Sequence, residues 1–156
     1  MALTFTLPSD YGNVAAVALG AIPFLGFVHG FITTGLRRPA GVEYPNAYAT
    51  PEQCAKNPAA YKFNCAQRAH ANYLENMSQT MVSILVAGIK HPRLATLLGT
   101  TWVALRVLFL AGYVYSGKEK GNGRIIGVPF WFVQGALWGI SFLGMGFPGY
   151  DLILRK

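Results

Sequence analysis

The chain has 156 residues, of which 53% are hydrophobic and 12% are charged, and its formal net charge is +7. Soluble domains contain about 25% charged residues, so this composition excludes an ordinary soluble domain and indicates an integral membrane protein. The basic residues lie mainly in gaps between long apolar runs, as in cytoplasmic loops of membrane proteins, which disfavours nucleic acid as a partner.

Four segments of the chain are predicted to cross a bilayer, and together they form one domain over residues 1–156. A helix needs about 20 residues to do so. The segments are 11–36, 63–89, 93–115 and 125–147. Pro23 lies inside the first segment and predicts a kink, because proline lacks the N–H that a helix interior uses. The first half of the second segment is unusually polar.

The connections between these segments predict an all-α, antiparallel four-helix bundle. Residues 90–93 form a tight turn, and residues 116–124 form a glycine-rich turn. The first and third connections hold Arg37, Arg38, Lys56, Lys62, Lys118, Lys120 and Arg124. The opposite side holds Lys90, Arg93, Arg155 and Lys156. The positive-inside rule therefore places the first and third loops in the cytoplasm.

The two cysteines, Cys54 and Cys65, are predicted to be free thiols. Neither belongs to a CxxC pair, and neither lies near a cluster of histidines. Both a disulfide and a metal site are therefore disfavoured.

A stripe of larger side chains follows one face of the fourth segment. It comprises Trp131, Gln134, Trp138 and Ser141 at helical spacing. Such a stripe is more often a packing face than a substrate groove.

The second segment carries a polar stripe in its first half. Arg68, Asn72 and Glu75 fall within about 60° of one another on a helix, and Asn64 and Gln79 extend the stripe. A charge near the bilayer centre costs roughly 2.5–3.5 kcal/mol, so the stripe must face protein, water or a polar ligand. Seven helical residues separate Arg68 from Glu75 by about 10 Å. We therefore expect their partners to come from another helix, another chain or a ligand.

The third segment adds a second intramembrane charge. Arg106 and Tyr113 share a helix face, with Phe109 between them. One interpretation is a structural ion pair between Arg106 and Glu75. The other is a ligand site, because arginine forks suit carboxylates and a buried glutamate suits an amine. A zwitterionic peptide with two carboxylates fits these residue types, and so does a phospholipid head group.

Four motifs resemble the MAPEG family, the membrane-associated proteins in eicosanoid and glutathione metabolism. They are VEYP (42–45), FNCAQRAHANYLE (63–75), HPR (91–93) and RVLFLAGY (106–113). The likeness is greatest to the branch of microsomal glutathione S-transferases of the third type. It implies a homotrimer of four-helix subunits, with a glutathione site between subunits that opens toward the cytoplasm.

The resemblance also implies a function and the residues that perform it. The glutathione contacts would be Arg37, Arg68, His70, Asn72, Glu75, Arg106 and Tyr113. Lys120 or Arg124, beside Tyr113, would activate the thiol as thiolate, without a metal. The thiolate would conjugate lipophilic electrophiles or reduce lipid hydroperoxides, with leukotriene-C synthesis as a further option. The family also implies the endoplasmic reticulum or another intracellular membrane.

Three departures and one alternative accompany the resemblance. Phe109 and Asn76 stand where some relatives have tyrosine, and Lys120 stands where the leukotriene-synthase branch has an arginine. The alternative function is non-enzymatic: a membrane protein of the lipoxygenase-activating type that presents lipid to an enzyme. The intact set of Arg68, Asn72 and Glu75 argues against this alternative.

Overall fold

A computed structural model describes residues 6–154, with side chains up to residue 143. Every regular element in this range is helical, which confirms the predicted all-α class. The long helices are α1 (Tyr11–Ala40), α3 (Pro58–Lys90), α4 (Pro92–Tyr115) and α5 (Phe130–Leu154). A short helix, α2 (Pro51–Lys56), precedes α3, and a 3₁₀ segment (Glu119–Gly127) joins α4 to α5.

Helix α1 is irregular just before Pro23. Its backbone passes through a π-helical turn at Ala16–Ala21 and then continues as α-helix over Ile22–Ala40. Pro23 has no N–H to donate toward the carbonyl four residues earlier, so the hydrogen-bond ladder must adjust at this point. The helix continues to Ala40, and Gly41 ends it in a left-handed conformation with φ of 66°.

Helix α3 begins five residues before its predicted start. The Asn57 side chain accepts a hydrogen bond from the Ala59 N–H at 2.9 Å, and Pro58 occupies the first turn. Both features favour a helix start, because an N-cap satisfies a free N–H and proline has none to satisfy. The prediction from hydropathy missed this first turn because its residues, PAAYK, carry little apolar signal.

The fourth predicted segment corresponds to α5, which begins later than predicted, so the predicted start at residue 125 was wrong. Residues 125–127 belong to the 3₁₀ segment, and α5 starts at Phe130. The 3₁₀ segment and α5 meet at a bend of 45°. Lys120 and Gly121 have positive φ angles inside the segment, so its backbone reverses direction before α5 begins.

The core of the bundle lies where α1, α3, α4 and α5 meet, and it is rich in aromatic side chains. Tyr73 and Trp102 are fully buried, with ring centroids 5.5 Å apart. The Tyr73 hydroxyl donates to the Ile22 carbonyl at 2.7 Å, and its ring stacks on His29 at 4.5 Å. Trp102 also meets Phe130 of α5 edge-on at 6.3 Å. These contacts hold the helices together around the polar residues described below.

Two helices are long and apolar enough to cross a membrane by length and composition. These are α1, with a mean hydropathy of 1.9, and α4, with 1.8. The bent pair of Glu119–Gly127 and Phe130–Leu143 qualifies as a third if it forms one span. Helix α3 does not meet this test, because the polar stripe lowers its hydropathy.

The loop after α1 is tied to α3 by one asparagine. Asn64 accepts from the Ala49 N–H at 2.8 Å and donates to the Ala49 carbonyl at 2.9 Å. Both cysteines are free thiols, as predicted, and Cys54 lies 3.3 Å from the same amide.

We expect Asn64→Ala to release this loop. The substitution removes both hydrogen bonds to Ala49, each worth about 1 kcal/mol, so local opening at residues 41–50 becomes more frequent. Limited proteolysis of the detergent-solubilised protein measures this opening, and we expect cleavage in the loop at least fivefold faster than in the parent. Lys56→Ala, at an exposed position of α2, is the control. Equal cleavage rates in all three proteins contradict the prediction.

Candidate functional site

The polar face of α3 contains an ion pair within one chain. Arg68 Nη1 lies 3.0 Å from Glu75 Oε1, and both side chains are about half exposed, at 50% and 53%. The expectation that these two residues cannot neutralise each other was therefore wrong. They lie two turns apart on the same face, and two long side chains that extend toward each other span the distance along the axis. Glu75 also accepts from Asn72 Nδ2 at 3.5 Å.

Arg106 is the most deeply buried charge of the site. Its side chain is fully buried, and Nη1 donates to Asn72 Oδ1 at 2.8 Å. The alternative of an ion pair between Arg106 and Glu75 is not formed, because Glu75 pairs with Arg68. Arg106 Nε and Nη2 have no hydrogen-bond partner among the described residues.

Aromatic rings, rather than a carboxylate, surround and stabilise the Arg106 cation. Its Cζ lies 4.2–5.5 Å from the ring centroids of Tyr73, Trp102, Phe109 and Phe130. A cation over the face of an aromatic ring gains electrostatic energy that grows when water is excluded. Arg106 therefore reaches the surface of the site only through Asn72.

Two cavities open beside the polar face of α3, and they share Arg68 and Tyr113. The first has a volume of about 290 Å³ and is lined by Arg68, Asn72, Phe109, Tyr113, Arg124, Val128 and Trp131. The second has a volume of about 330 Å³ and is lined by Tyr48, Tyr61, Asn64, Cys65, Arg68, Tyr113, Lys120 and Gly121. Both cavities combine aromatic rings with a few cationic or polar side chains, which are the groups that orient a small ligand.

The 3₁₀ segment brings two cations to Tyr113. Arg124 Nη1 donates to the Lys120 carbonyl at 2.9 Å, and its Cζ lies 5.3 Å from the Tyr113 ring. Arg124 is half-buried and lines the first cavity, whereas Lys120 is exposed and lines the second. The structure therefore places both candidate cations near Tyr113 and gives Arg124 the more enclosed position, beside Arg68 and Asn72.

Two predicted contact residues lie away from these cavities within one chain. Arg37 donates to the Val42 and Asn46 carbonyls, at 3.4 and 2.7 Å, and lies between the rings of Tyr44 and Phe63. His70 faces α1, with its ring 6.1 Å from the ring of His29. Neither residue lines either cavity.

Sequence reasoning missed one part of the site, which is its link to α5. Gln134 is fully buried and hydrogen-bonds to both Asn76 and Trp102, whereas Trp131 and Trp138 of the same predicted stripe are each more than 40% exposed. Gln134 is the one amide side chain in the apolar run from 125 to 147, and that isolation was the available signal. Over the described part of the chain, no group of three or more His, Cys, Asp or Glu residues is arranged to hold a metal ion.

The geometry defines a class of protein: an assembly of packed helices, two of them long and apolar enough to cross a membrane, with a polar face on the second long helix. The sequence matches the model of the MAPEG family over residues 15–143. This match covers all four long helices in whole or in part, and the chain belongs to the MAPEG family. The family includes glutathione transferases and peroxidases, and also activating proteins that are not enzymes.

Proposed function

We propose that this protein is a membrane glutathione transferase that also reduces lipid hydroperoxides. The observation that carries the proposal is the first cavity, where Arg68, Asn72 and Arg124 converge while Glu75 stands beside Arg68. The Arg68 guanidinium suits a carboxylate, the Glu75 carboxylate suits an ammonium group, and the Arg124 cation suits a thiolate. Glutathione carries carboxylates, an ammonium group and a thiol.

The ion pair between Arg68 and Glu75 supports this assignment. In the absence of ligand each group neutralises the other, so neither charge stands alone in an apolar setting. On binding, Arg68 would turn to a glutathione carboxylate and Glu75 to the glutamyl ammonium. The number of ion pairs then rises without creating an unpaired charge.

The remaining predicted contact residues take separate roles in the proposed site, and one of them depends on a subunit interface. Arg37 holds its own loop and would reach a glutathione molecule only from a neighbouring subunit of the proposed homotrimer. Arg106 would act through Asn72, and Tyr113 would contact the ligand directly, since it lines both cavities. His70 would contribute by packing α3 on α1.

The proposed chemistry depends on thiolate formation. A cysteine thiol has a pKa near 8.5, and a nearby cation lowers it, so more thiolate exists at neutral pH. Arg124 is placed to supply that cation, with Lys120 as the more exposed alternative. The thiolate attacks an electrophilic carbon, a C–S bond forms, and the leaving group departs or an epoxide ring opens. The last case includes leukotriene-type substrates.

Peroxide reduction uses the same thiolate. It attacks the terminal oxygen of a lipid hydroperoxide, an S–O bond forms as the O–O bond breaks, and the released lipid alkoxide takes up a proton to become the alcohol. A second glutathione then reduces the glutathione sulfenic acid to give water and glutathione disulfide. Phe109, Val128 and Trp131 provide an apolar wall beside the cations for a lipophilic substrate that arrives through the bilayer.

The departures from tyrosine set the expected character of the enzyme. Phe109 lies against Phe130 and Tyr113 with no hydroxyl to offer, and Asn76 points into the bundle. Two hydroxyl groups that some members of the family could offer to glutathione are therefore missing, which bears on the rate and the preferred substrate while the other contacts still support binding. We assign the protein to the branch of microsomal transferases of the third type on its motifs. We place the protein in the endoplasmic reticulum or another intracellular membrane, with the basic loops cytoplasmic.

A glutathione titration of the purified protein in detergent, followed by thiolate absorbance in the ultraviolet, tests the proposal. We expect saturable thiolate formation by the parent. Arg68→Ala and Glu75→Gln should each weaken binding at least tenfold, because each removes a charge partner of the ligand and leaves the other group of the pair unmatched. Arg93→Ala removes another exposed ion pair, with Asp10, at the start of α4 and is the control.

The outcomes separate the candidate functions. Saturable binding that both variants lose, and the control keeps, supports the transferase. A correctly assembled parent that binds no glutathione contradicts it, and lipid presentation then becomes the leading function. Turnover of an aryl halide measures conjugation, and turnover of a lipid hydroperoxide measures peroxide reduction, so the two assays distinguish these activities.

A further inference from the structure

A closed ring of contacts joins α3, α4 and α5 behind the cavity. Gln134 Nε2 donates to Asn76 Oδ1 at 3.0 Å, and Asn76 Nδ2 donates to the Asn72 carbonyl at 2.8 Å. Arg106 Nη1 donates to Asn72 Oδ1 at 2.8 Å, and its Cζ lies 5.5 Å from the Trp102 ring. Trp102 Nε1 donates to Gln134 Oε1 at 3.0 Å and completes the ring.

The donor and acceptor types allow this ring one arrangement. The Trp102 indole can only donate, so the Gln134 oxygen must face it, and the Gln134 nitrogen must then face Asn76. The Asn76 nitrogen is committed to a backbone carbonyl, so its oxygen is the group that meets Gln134. A flip of either amide would place like groups against each other in a buried setting, which costs about 1–3 kcal/mol.

The ring residues near α5 are buried, and Asn72 is the ring residue that lines the cavity. Gln134, Trp102 and Arg106 are fully buried, and Asn76 is nearly so. Asn72 lines the first cavity together with Arg68. The ring therefore meets Asn72 at two points: Asn76 bonds to its backbone carbonyl and Arg106 to its side-chain oxygen, while its side-chain nitrogen lies 3.5 Å from Glu75.

We propose that Gln134 is a positioning residue of the glutathione site, acting from a helix that carries none of the predicted ligand contacts. It fixes Asn76 with one end of its amide and Trp102 with the other. Asn76 holds the α3 backbone at Asn72, and Trp102 forms a wall of the aromatic surroundings of Arg106. This inference rests on the proposed function, because the group that it positions is a glutathione contact.

Substitution of Gln134 by methionine tests the inference. Methionine has a similar length and volume and makes neither hydrogen bond, so packing changes little while the ring opens. We expect the KM for glutathione to rise about tenfold, with kcat at saturating glutathione within about twofold of the parent. Trp102→Phe opens the ring at its other edge and should raise the KM severalfold. The double variant should resemble Gln134→Met, because both changes break one ring.

Ser141→Ala is the matched control. Ser141 also links α5 to α3, through a hydrogen bond to the Ser83 carbonyl at 2.8 Å, but lies two turns from Gln134 and outside the ring. We expect its KM for glutathione to stay within about twofold of the parent. A comparable rise in Ser141→Ala would show that helix packing alone sets affinity and would overturn the inference.

The remaining outcomes also decide the question. A folded Gln134→Met protein with the parent's KM overturns the inference. If that variant does not assemble, Trp102→Phe decides: a KM equal to that of the parent overturns the inference, and a raised KM supports it. A parent that binds no glutathione overturns the proposed function and this inference together, whereas the other outcomes concern Gln134 alone.

Discussion

Replacement of Arg124 by methionine is expected to reduce turnover at pH 7 about a hundredfold, which corresponds to about 2.7 kcal/mol of transition-state stabilisation. Arg124 is half-buried and lines the cavity with Arg68 and Asn72, and its guanidinium is held by the Lys120 carbonyl. A fixed cation in this position stabilises the thiolate more strongly than a mobile one, because it needs no reorganisation when charge develops. Methionine keeps most of the side-chain volume and removes the charge.

The pH dependence of the Arg124 variant follows from the same argument. In the proposed mechanism the cation lowers the pKa of the bound glutathione thiol, so its removal should raise that pKa toward the value of a free thiol. The rising limb of the pH–rate profile should therefore move to higher pH, and part of the lost rate should return above pH 8.5. Stopped-flow thiolate absorbance and steady-state rates, both recorded in buffers from about pH 6 to about pH 9, measure the shift.

Lys120→Met is the matched control for the Arg124 variant. Lys120 is exposed and has a positive φ of 54°, and we expect its loss to reduce turnover less than fivefold. Arg124→Lys should recover part of the rate, since lysine restores the charge but not the planar fork. A larger loss in Lys120→Met than in Arg124→Met would transfer the role to Lys120. Unchanged turnover and pH profile in both variants would contradict thiol activation by the 3₁₀ segment.

Replacement of Gly127 by alanine is expected to destabilise the protein by about 2–3 kcal/mol, because it forces two backbones apart. A Cβ atom at this position would lie 2.5 Å from the Leu105 carbonyl oxygen and the Phe109 Cα, and closer still to the Phe109 nitrogen. These are helix backbone atoms, which cannot move aside as a flexible side chain does. The same close approach recurs between Gly112 and Gly123.

Thermal unfolding in detergent measures the effect of Gly127→Ala, and we expect an apparent Tm lower by at least 5 °C. Gly35→Ala is the control, because a Cβ there meets nothing within 4 Å; we expect no loss, or a gain of up to about 1 kcal/mol from helix propensity. Because the 3₁₀ segment carries Arg124, glutathione turnover should fall together with the Tm. A Tm equal to that of the parent would mean that the segment can move away from α4 at no cost.

Much of the fold could be predicted from the sequence, and the errors have local causes. Helices α1 and α4 follow from apolar runs of about 20 residues, a signal that needs no knowledge of neighbours. The start of α3 was missed because capping by Asn57, rather than hydropathy, sets it. The start of α5 was missed because Ile125 and Ile126 are apolar but belong to the 3₁₀ segment. Glycines in this segment allow it to pack closely against α4.

The candidate site could be predicted only in part. The spacing of Arg68, Asn72 and Glu75 placed them on one face, and the family motifs pointed to glutathione. Distance along the helix axis gave the wrong answer for Arg68 and Glu75, because side-chain conformations decide whether two long side chains meet. The pairing of Arg106 also required a choice between acceptors, and the structure brings it to Asn72 rather than to Glu75.

By itself, the sequence determined the helical class, the apolar character of the chain, and the polar face of α3. These properties depend on the order of residues along one helix, where periodicity and hydropathy act locally. Only the tertiary structure decided that Arg106 is surrounded by aromatic rings, that Arg124 enters the cavity with Arg68, and that Gln134 closes a ring with Asn76 and Trp102. Those contacts join residues far apart in the chain, so they depend on how the helices cross and on which side chains fill the space between them.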